Sequence, residues 1–301
     1  MTDLLTGRVA VVTGGGRGLG RSHALALAAE GAAVVVNDLG VALDGSEGGA
    51  TPADTVVAEI EAMGGRAIAD RSDISTAAGG EALVATALEA FGRLDILVNN
   101  AGILRDRSAH RMSPEEVEAV LAVHLHGAFN VTLPAFRAMR DAGYGRIVMT
   151  SSAAGLFGNF GQANYGAAKA GLVGLTKVLA IEGRAKGVLV NAISPCATTR
   201  MTEAGFGDKA RLFGPDYVSP LVVHLASEAC GVTGETFSVG GGQVARIFVG
   251  LTPGIFRAGA PLSAGEIAGR MDEIMALDGF MVPPDMAAEW DKFLALHGEA
   301  E

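Results

Sequence analysis

Three polar side chains in the second half of the chain have the spacing that a proton-transfer site requires. Tyr165 and Lys169 lie four residues apart in the strongly helical stretch NYGAAKAGLVGLTKVLA, so they share one face of a helix. Ser152 ends an apolar run thirteen residues before Tyr165, and only this spacing favours it over its neighbour Ser151. We select Ser152, Tyr165 and Lys169 as candidate catalytic residues.

These groups suit the oxidation of a secondary alcohol. A phenol of pKa ~10 is a poor base at neutral pH, and lowering its pKa by ~3 units takes about 4 kcal/mol. An ammonium ~4 Å away supplies about that much at an effective dielectric constant of ~20. We therefore expect Lys169 to lower the pKa of Tyr165, Tyr165 to take the hydroxyl proton, and Ser152 to hold the substrate oxygen. This chemistry needs no metal, and His124 and His126 would point to different helix faces, so we expect no metal site.

A Gly-rich turn near the N-terminus is the candidate cofactor site. The sequence TGGGRGLG follows an apolar run and opens a helical stretch. Such a turn needs glycine for its backbone angles, and it lets main-chain N–H groups approach a pyrophosphate. The predicted dinucleotide contacts here are Gly14, Arg17, Gly18, Leu19 and Gly20.

Asp38 ends the next apolar run, about twenty residues further along, as the dinucleotide fingerprint requires. A carboxylate at this position accepts hydrogen bonds from ribose hydroxyls and repels a 2′-phosphate. Asp38 therefore favours NAD over NADP. Arg17 favours the opposite choice, because its guanidinium could pair with a 2′-phosphate.

Short apolar runs that alternate with longer Ala/Leu/Glu-rich stretches must position these residues. The runs are 8–13, 33–37, 66–70, 95–99, 146–150, 188–193 and 235–239, and the helical stretches are 19–30, 53–63, 76–91, 114–141 and 163–186. Continuous apolar runs are typical of strands buried on both faces. The alternation predicts an α/β fold with a Rossmann-like, doubly wound parallel sheet of seven strands and helices on both faces. We expect one dehydrogenase domain over residues 1–243.

Two segments do not follow this alternation. The Gly-rich loop 39–52 is longer than usual, and it is either a flap beside the site or an insertion. The C-terminal extension, residues 244–301, contains a capping box at Ser263 and Glu266. Its predicted amphipathic faces consist of Ile267, Met271 and Ile274, and of Trp290, Phe293 and Leu294. We expect the extension to pack on the body or on a partner subunit.

Composition excludes several other classes of protein. The net charge of −10 argues against a nucleic-acid partner, which would require a basic surface. With Cys196 and Cys230 as its only cysteines, the chain lacks a disulfide framework. We find neither a secretory leader nor an apolar run approaching the ~20 residues of a membrane span. We expect a cytoplasmic protein without a membrane partner.

Together, the Gly-rich turn, the NNAG sequence at 99–102, Ser152 and the Tyr165/Lys169 pair resemble the short-chain dehydrogenase/reductase family over residues 7 to about 243. The resemblance implies that the turn containing Asn100, Ala101 and Gly102 supports the sheet beside the cofactor. It also implies cofactor contacts from Tyr165 and Lys169. Further implied contacts come from Asp73, at the adenine, and from its neighbour Ile74. In this family the helix bearing Tyr165 also packs between subunits, which implies a homo-oligomer, either a dimer or a tetramer.

The chain departs from the family pattern at two places. His124 stands where most members have the asparagine of an Asn-x-x-Gly motif, so it is a candidate for that residue's part in proton relay. Pro195 is followed by cysteine where the family has Pro-Gly. Pro195 and Thr198 are the candidate contacts to the cofactor carboxamide.

Within the family, VVVNDLG, NNAGILRDRS, VHLHGAF, GNFGQANY and AIEGR resemble the (3R)-hydroxyacyl-CoA dehydrogenases of peroxisomal multifunctional enzymes. This resemblance implies an NAD-linked dehydrogenase of 3-hydroxyacyl-CoA thioesters. The alternatives are a 17β-hydroxysteroid substrate, a general ketoreductase, and an NAD-binding module without activity. Candidate cations for an acyl-CoA tail are Arg105, Arg107, Arg200, Arg246 and Arg257, and a steroid cleft could be lined by Leu156, Phe157, Phe160 and Met201.

Overall fold

The computed structural model describes residues 3–40, 51–198 and 207–298, and these ranges contain one eight-stranded sheet. The strands are β1 Val9–Thr13, β2 Ala33–Asn37, β3 Arg66–Asp70, β4 Ile96–Asn99, β5 Gly145–Thr150, β6 Val188–Pro195, β7 Thr236–Gly240 and β8 Gln243–Ile247. Their order is β3-β2-β1-β4-β5-β6-β7-β8; the first seven in this order are parallel, and β8 closes an antiparallel hairpin. The predicted seven-stranded parallel sheet is confirmed.

Helices cover both faces of the sheet. They are α1 Gly18–Ala29, α2 Pro52–Ala62, α3 Ala77–Phe91, α4 Pro114–Leu121, α5 Gly127–Ala142, α6 Ala153–Leu156, α7 Ala163–Arg184 and α8 Ser219–Ala226, with 3₁₀ turns at Ala109–Arg111, Gly207–Phe213 and Pro215–Tyr217. Side chains alternate across a strand, so β1 contributes to two cores. Ala10 and Val12 pack on the face covered by α1, α2 and α8, whereas Val9 and Val11 pack on the face covered by α3, α5 and α7.

A π-helical turn, Ala122–His126, interrupts the stretch predicted as one helix over 114–141. The continuous helical segment Pro114–Ala142 is 29 residues long and is apolar enough, by length and composition, to span a membrane. Its second half packs Val131, Ala135 and Met139 into the core beside the sheet, as a core helix does. The π turn places His124 in the interior of the protein.

Strand β1 lies in the middle of the sheet. Strands β2 and β3 extend the sheet to one side of β1, and β4 and the later strands extend it to the other side, so the strand order reverses between β1 and β4. Ligand crevices of doubly wound sheets form at such a switch point, beyond the carboxyl ends of the strands. The Gly-rich turn follows β1 and the NNAG turn follows β4. The topology therefore brings the two predicted cofactor segments together.

The chain divides into two compact units, Met1–Arg246 and Ile247–Glu301. In the second unit, Ser263 and Glu266 form the predicted capping box at the start of α9, Ala264–Gly269. The single helical face predicted for Ile267, Met271 and Ile274 is wrong, because the helix stops at Arg270 and α10 begins separately as Met271–Met275. Helix α11, Met286–Gly298, carries the aromatic face near the C-terminus. Packing on the body or on a partner subunit stays a prediction, and residues 41–50 of the predicted flap lie outside the described residues.

Candidate active site

The Gly-rich turn and the NNAG turn are interlocked through their backbones. Gly14 has a φ of +61°, and a Cβ added to it would lie 2.8 Å from Cα of Ala101. A Cβ on Gly20 would lie 2.1 Å from the carbonyl oxygen of Gly14. Asn100 Nδ2 donates to the carbonyl oxygens of Thr13 and Gly14 at 3.0 and 3.1 Å. Glycine is therefore required at Gly14 and Gly20, because another part of the backbone lies too close to leave room for a Cβ.

Thr13 is a supporting residue that sequence reasoning did not select. Its hydroxyl accepts the main-chain N–H groups of Asn100 and Ala101, at 3.0 and 3.1 Å. The sequence feature that could have identified it is a hydroxyl side chain at the end of an otherwise apolar strand. At the other side of the NNAG turn, a Cβ on Gly102 would lie 2.2 Å from Cε1 of His124, so this glycine makes room for the imidazole.

The start of α1 fits the phosphates of a dinucleotide. The first turn of an α-helix leaves main-chain N–H groups without intrahelical partners. In α1 no side chain caps these groups, the first turn contains no acidic residue, and Arg17 occupies the N-cap position with Gly18 next. Leu19 packs its side chain against the core. No carboxylate of the first turn of α1 therefore competes with an anionic group for these N–H groups.

Asp38 lies against the same turn. Its Oδ2 accepts the N–H of Gly16 at 3.1 Å, and its Oδ1 accepts the N–H of Gly40 at 2.9 Å. The carboxylate thus sits beside the Gly-rich turn, where sequence reasoning placed it. Among the ion pairs formed by the described part of the chain, none involves Arg17.

The other predicted cofactor residues differ in how far their side chains are engaged. Asp73 uses its carboxylate locally, accepting the N–H and hydroxyl of Ser75 at 3.0 and 2.7 Å. Ile74 is buried and lines a small cavity described below. Pro195 is the last residue of β6, at the carboxyl end of that strand. The Thr198 hydroxyl donates to a carbonyl oxygen of the 3₁₀ turn that follows, at 2.8 Å, so it is already engaged within the chain.

The structure separates the two adjacent serines. Ser151 is buried, and its hydroxyl donates to the carbonyl oxygen of Lys169 at 2.8 Å. Ser152 caps α6 by accepting the N–H of Ala154 at 3.2 Å, and it hydrogen-bonds the hydroxyl of Tyr165. Ser152 is therefore the serine that faces the candidate base, and Ser151 secures the backbone of the helix that carries it.

Lys169 lies one turn below Tyr165 on α7 and is almost fully buried. Its Nζ lies 5.6 Å from the centre of the Tyr165 ring and donates to the carbonyl oxygen of Thr150. Only 3% of the residue is exposed, and burial lowers the pKa of Lys169 to about 7. The ammonium is thus costly to maintain at this position.

Burial raises the pKa of Tyr165 above its ordinary value of 10.0. The hydrogen bond with Ser152 acts to lower this pKa, and the negative charge of Asp106 acts to raise it. The expectation that Lys169 lowers the pKa of Tyr165 is therefore wrong for this structure. Desolvation of the phenolate outweighs the favourable interactions because Tyr165 lies in a largely buried position.

His124 stacks edge-on against Tyr165, with ring centres 5.1 Å apart. Its Nε2 lies 3.0 Å from the N–H of Ile103 and 2.8 Å from the carbonyl oxygen of the same residue. One ring nitrogen can serve only one of these groups at a time, and the buried Nδ1 has no partner in the described part of the chain. Burial, followed by the charge of Lys169, lowers the pKa of His124 to about 3, so the ring is neutral at pH 7.

A small cavity of about 10 Å³ lies between the cofactor segments and the catalytic helix, large enough for a single water. It is lined by Thr13, Ile74, Asn99, Ala101, Val123, His124, Ala128, Lys169 and Leu172. The residues from both halves of the predicted site thus meet around one internal space. Among the described residues, no group of three or more His, Cys, Asp or Glu side chains is arranged to hold a metal.

Most of the cations proposed for an anionic substrate tail are already paired. Arg107 pairs with Glu116 at 2.7 Å, Arg246 with Glu235 at 2.7 Å, and Arg257 with Glu266 at 2.9 Å. Arg200 lies outside the described residues. Arg105 is exposed, and its guanidinium bonds only its neighbour's carbonyl oxygen among the described contacts.

The aromatic side chains proposed for an apolar cleft lie at the surface of the segment that joins Ser152 to Tyr165. Phe157 is 72% exposed and Phe160 is 89% exposed, so neither belongs to the core. Leu156 is half-buried, and Met201 lies outside the described residues. Two large apolar groups are therefore exposed on the segment between Ser152 and Tyr165.

Comparison with known proteins places this arrangement. The short chain dehydrogenase family profile matches residues 8–209. The chain is 51% identical to peroxisomal multifunctional enzyme type 2 of Mus musculus over 80% of its own length and 32% of that enzyme. It is 46% identical to a hydroxyacyl-CoA dehydrogenase of Mycobacterium tuberculosis, covering 81% of this chain and 80% of that protein. A crystal structure of a short chain dehydrogenase from Mycobacterium avium superposes with a TM-score of 0.80 at 46% identity, covering 91% of this chain and 96% of that one.

Proposed function

This chain belongs to the short-chain dehydrogenase/reductase family, and we propose that it is an NAD-dependent (3R)-3-hydroxyacyl-CoA dehydrogenase. The observation that carries the proposal is the meeting of Ser152, Tyr165 and Lys169 beside the interlocked Gly-rich and NNAG turns. The substrate class is supported by relatives named as hydroxyacyl-CoA dehydrogenase and as multifunctional enzyme.

In the proposed reaction, Ser152 donates a hydrogen bond to the substrate oxygen and Tyr165 removes the hydroxyl proton. Lys169 lies 5.6 Å from the centre of the Tyr165 ring, where we expect it to contact the bound cofactor. A bound nicotinamide cofactor supplies the acceptor for the hydride. Because burial raises the pKa of Tyr165, we expect oxidation to accelerate as the pH rises.

The cofactor preference that we propose is NAD over NADP. Asp38 supports it, since its carboxylate lies beside the Gly-rich turn and would repel a 2′-phosphate. Asp38→Ala should narrow the difference in kcat/KM between NAD⁺ and NADP⁺. A wild-type preference for NADP⁺ would contradict the proposal and indicate that Arg17 decides the choice.

Arg105 and the exposed aromatic pair support a thioester with an anionic tail and an apolar chain. Arg105 offers a guanidinium without an acidic partner among the described residues, and Phe157 and Phe160 offer apolar surface nearby in sequence to Ser152. We therefore expect Arg105→Ala to raise the KM for a hydroxyacyl-CoA while leaving the KM for the matching N-acetylcysteamine thioester unchanged. The second thioester lacks the phosphates of CoA and serves as the control.

The direct test compares a (3R)-hydroxyacyl-CoA, its (3S) epimer and a 17β-hydroxysteroid under identical conditions with NAD⁺. We expect the highest kcat/KM for the (3R) thioester. A steroid turned over about tenfold better, a difference of ~1.4 kcal/mol, would favour the hydroxysteroid dehydrogenase that we rank second. The exposed Phe157 and Phe160 would suit a steroid nucleus as well as an acyl chain, so the comparison of substrates decides between the two.

A catalytic role is distinguished from NAD binding alone by Tyr165→Phe. This variant should lose at least ~10²-fold in kcat while keeping NAD affinity, because it removes the general base and little else. Tyr217→Phe, at an exposed tyrosine, is the control. Cofactor binding without turnover in the wild type would instead favour a binding module.

We further propose a cytoplasmic homo-oligomer. The outward side of α7 exposes Ala170, Gly174, Val178 and Ile181, which lie at helical spacing and offer a small-residue and apolar surface. Gly166, one turn before Ala170 on α7, packs within the subunit: a Cβ on it would lie 3.1 Å from the carbonyl oxygen of Ala154.

A further inference from the structure

Asn164, the residue before the candidate base, is buried and uses its whole amide. Its Oδ1 accepts the N–H of Tyr165 at 2.7 Å. Its Nδ2 donates to the carbonyl oxygens of Arg105 at 3.1 Å and Glu116 at 3.0 Å. Only 2% of the residue is exposed, so water cannot replace these partners.

The partners determine the orientation of this amide. Two carbonyl oxygens require donors and one N–H requires an acceptor, which matches the NH₂ and oxygen of asparagine in a single orientation. An aspartate of the same shape would direct a negative charge at two carbonyl oxygens. An apolar side chain would remove all three of these bonds. The loss is costly for the buried N–H of Tyr165 and for the carbonyl oxygen of Arg105, whereas the carbonyl oxygen of Glu116 lies within α4 and can still accept an intrahelical bond.

The three bonds join separate parts of the chain around the site. They connect the first turn of α7 to helix α4, through Glu116, and to the segment 103–108 that follows the NNAG turn. The same segment is attached to His124 at Ile103, and its Arg107 N–H donates to the carbonyl oxygen of Gly161 at 2.8 Å. Asn164 thus holds this segment directly against the catalytic turn.

We propose that Asn164 is a positioning residue that fixes Tyr165 relative to Ser152 and to the segment 103–108. Its kinetic consequence rests on the proposed dehydrogenase function. The position of Tyr165 itself does not, because it can be observed through the titration of the phenol.

Four groups face the Tyr165 ring or hydroxyl. Ser152 hydrogen-bonds the hydroxyl, and Asp106 lies in the segment 103–108. Lys169 lies beneath the ring, and neutral His124 meets the ring edge-on. Burial and the charge of Asp106 both raise the pKa of Tyr165. Releasing the segment should admit water and weaken both influences, so the titration midpoint of Tyr165 should fall.

The experiment uses Asn164→Ala and Asn164→Ser in the full chain. Serine keeps an oxygen that can accept the Tyr165 N–H but loses the amide NH₂ that donates to the carbonyl oxygens of Arg105 and Glu116. This variant serves if the alanine variant does not fold. Asn191→Ala is the matched control. Asn191 is 1% exposed, and its amide also joins two backbone segments, donating to the carbonyl oxygen of Val232 at 2.9 Å and accepting the N–H of Glu235 at 3.1 Å, but in β6.

Two readouts are measured on each variant. ¹³C NMR of tyrosine labelled at Cζ follows the titration of the three tyrosines, and Tyr165→Phe assigns the relevant signal. Steady-state kinetics with the (3R)-hydroxyacyl-CoA give kcat and KM separately. We expect both Asn164 variants to lower the Tyr165 midpoint and to reduce kcat about tenfold or more with little change in KM, since a displacement of ~1 Å can reduce rates ~10²-fold.

The outcomes separate this inference from the proposed function. A wild-type chain without turnover on any hydroxyl substrate would refute the proposed dehydrogenase function. The NMR titration midpoints of Tyr165 would still test the positioning role of Asn164. An unchanged Tyr165 midpoint in Asn164→Ser, with a kcat no lower than that of Asn191→Ala, would overturn the positioning role. A lowered midpoint in Asn191→Ala as well would do the same, because it would show a general effect of lost stability.

Discussion

The burial of Lys169 should make this residue a source of instability, so Lys169→Met should stabilise the protein near neutral pH while turnover is lost. Burial lowers the pKa of Lys169 from its ordinary value of 10.5 to about 7. Methionine fills a similar volume without a charge. The folded protein thus no longer has to bury an ammonium or release its proton.

The size of the effect follows from the two pKa values. Lowering the pKa of Lys169 from 10.5 to about 7 corresponds to a penalty of about 5 kcal/mol, of which about 4 kcal/mol applies at pH 7. Removing Nζ also leaves the carbonyl oxygen of Thr150 without its donor, at a cost of ~1–3 kcal/mol. The charge effect is the larger of the two. We therefore expect Lys169→Met to gain roughly 1–3 kcal/mol in free energy of unfolding at pH 7.

The pH dependence tests the cause more sharply than the absolute gain. Between about pH 7 and 10.5 the unfolded chain holds the Lys169 proton and the folded chain does not, so wild-type stability should rise by up to ~1.4 kcal/mol per pH unit from this group. Below pH 7 both states hold the proton, and the penalty is constant. Denaturant unfolding from about pH 6 to 9 should show the advantage of Lys169→Met shrinking above pH 7. The exposed Lys186 provides the control, Lys186→Met. An advantage that did not change with pH, or a variant less stable than wild type at every pH, would refute the reasoning.

Three further perturbations test other parts of the site. Gly20→Ala should weaken NAD binding at least ~10-fold by calorimetry, because its Cβ would lie 2.1 Å from a carbonyl oxygen. Gly265→Ala, with open space around it, is the control, and equal affinities would contradict the proposed cradle. Asp106→Asn should move the acidic limb of the oxidation profile to lower pH, because the Asp106 charge raises the pKa of Tyr165; a shift to higher pH would contradict this. Gly174→Trp should yield monomers by light scattering if α7 forms the subunit contact, and a monomeric wild type would refute the oligomer.

Local sequence features were sufficient to predict the sheet and to place Tyr165 and Lys169 on one helix. Seven apolar runs became the seven parallel strands, because a strand buried on both faces is apolar along its whole length. The spacing of Tyr165 and Lys169 predicted a shared helix face, since i and i+4 positions coincide on any α-helix. The glycine requirement at Gly20, which the carbonyl oxygen of Gly14 imposes, was equally local. These features depend on residues that lie within a few positions of one another.

The tertiary structure alone decided how these residues behave. The pKa of Tyr165 rises because distant elements exclude water from it, which spacing along α7 does not reveal. Asn164 acquired its role through carbonyl oxygens 59 and 48 residues away in the sequence. Likewise, Arg246 was occupied by an acid eleven residues away, whereas Arg105 kept its guanidinium free of acidic partners among the described residues. Desolvation and pairing are properties of the packed neighbourhood, so they could be known only once the chain had been folded.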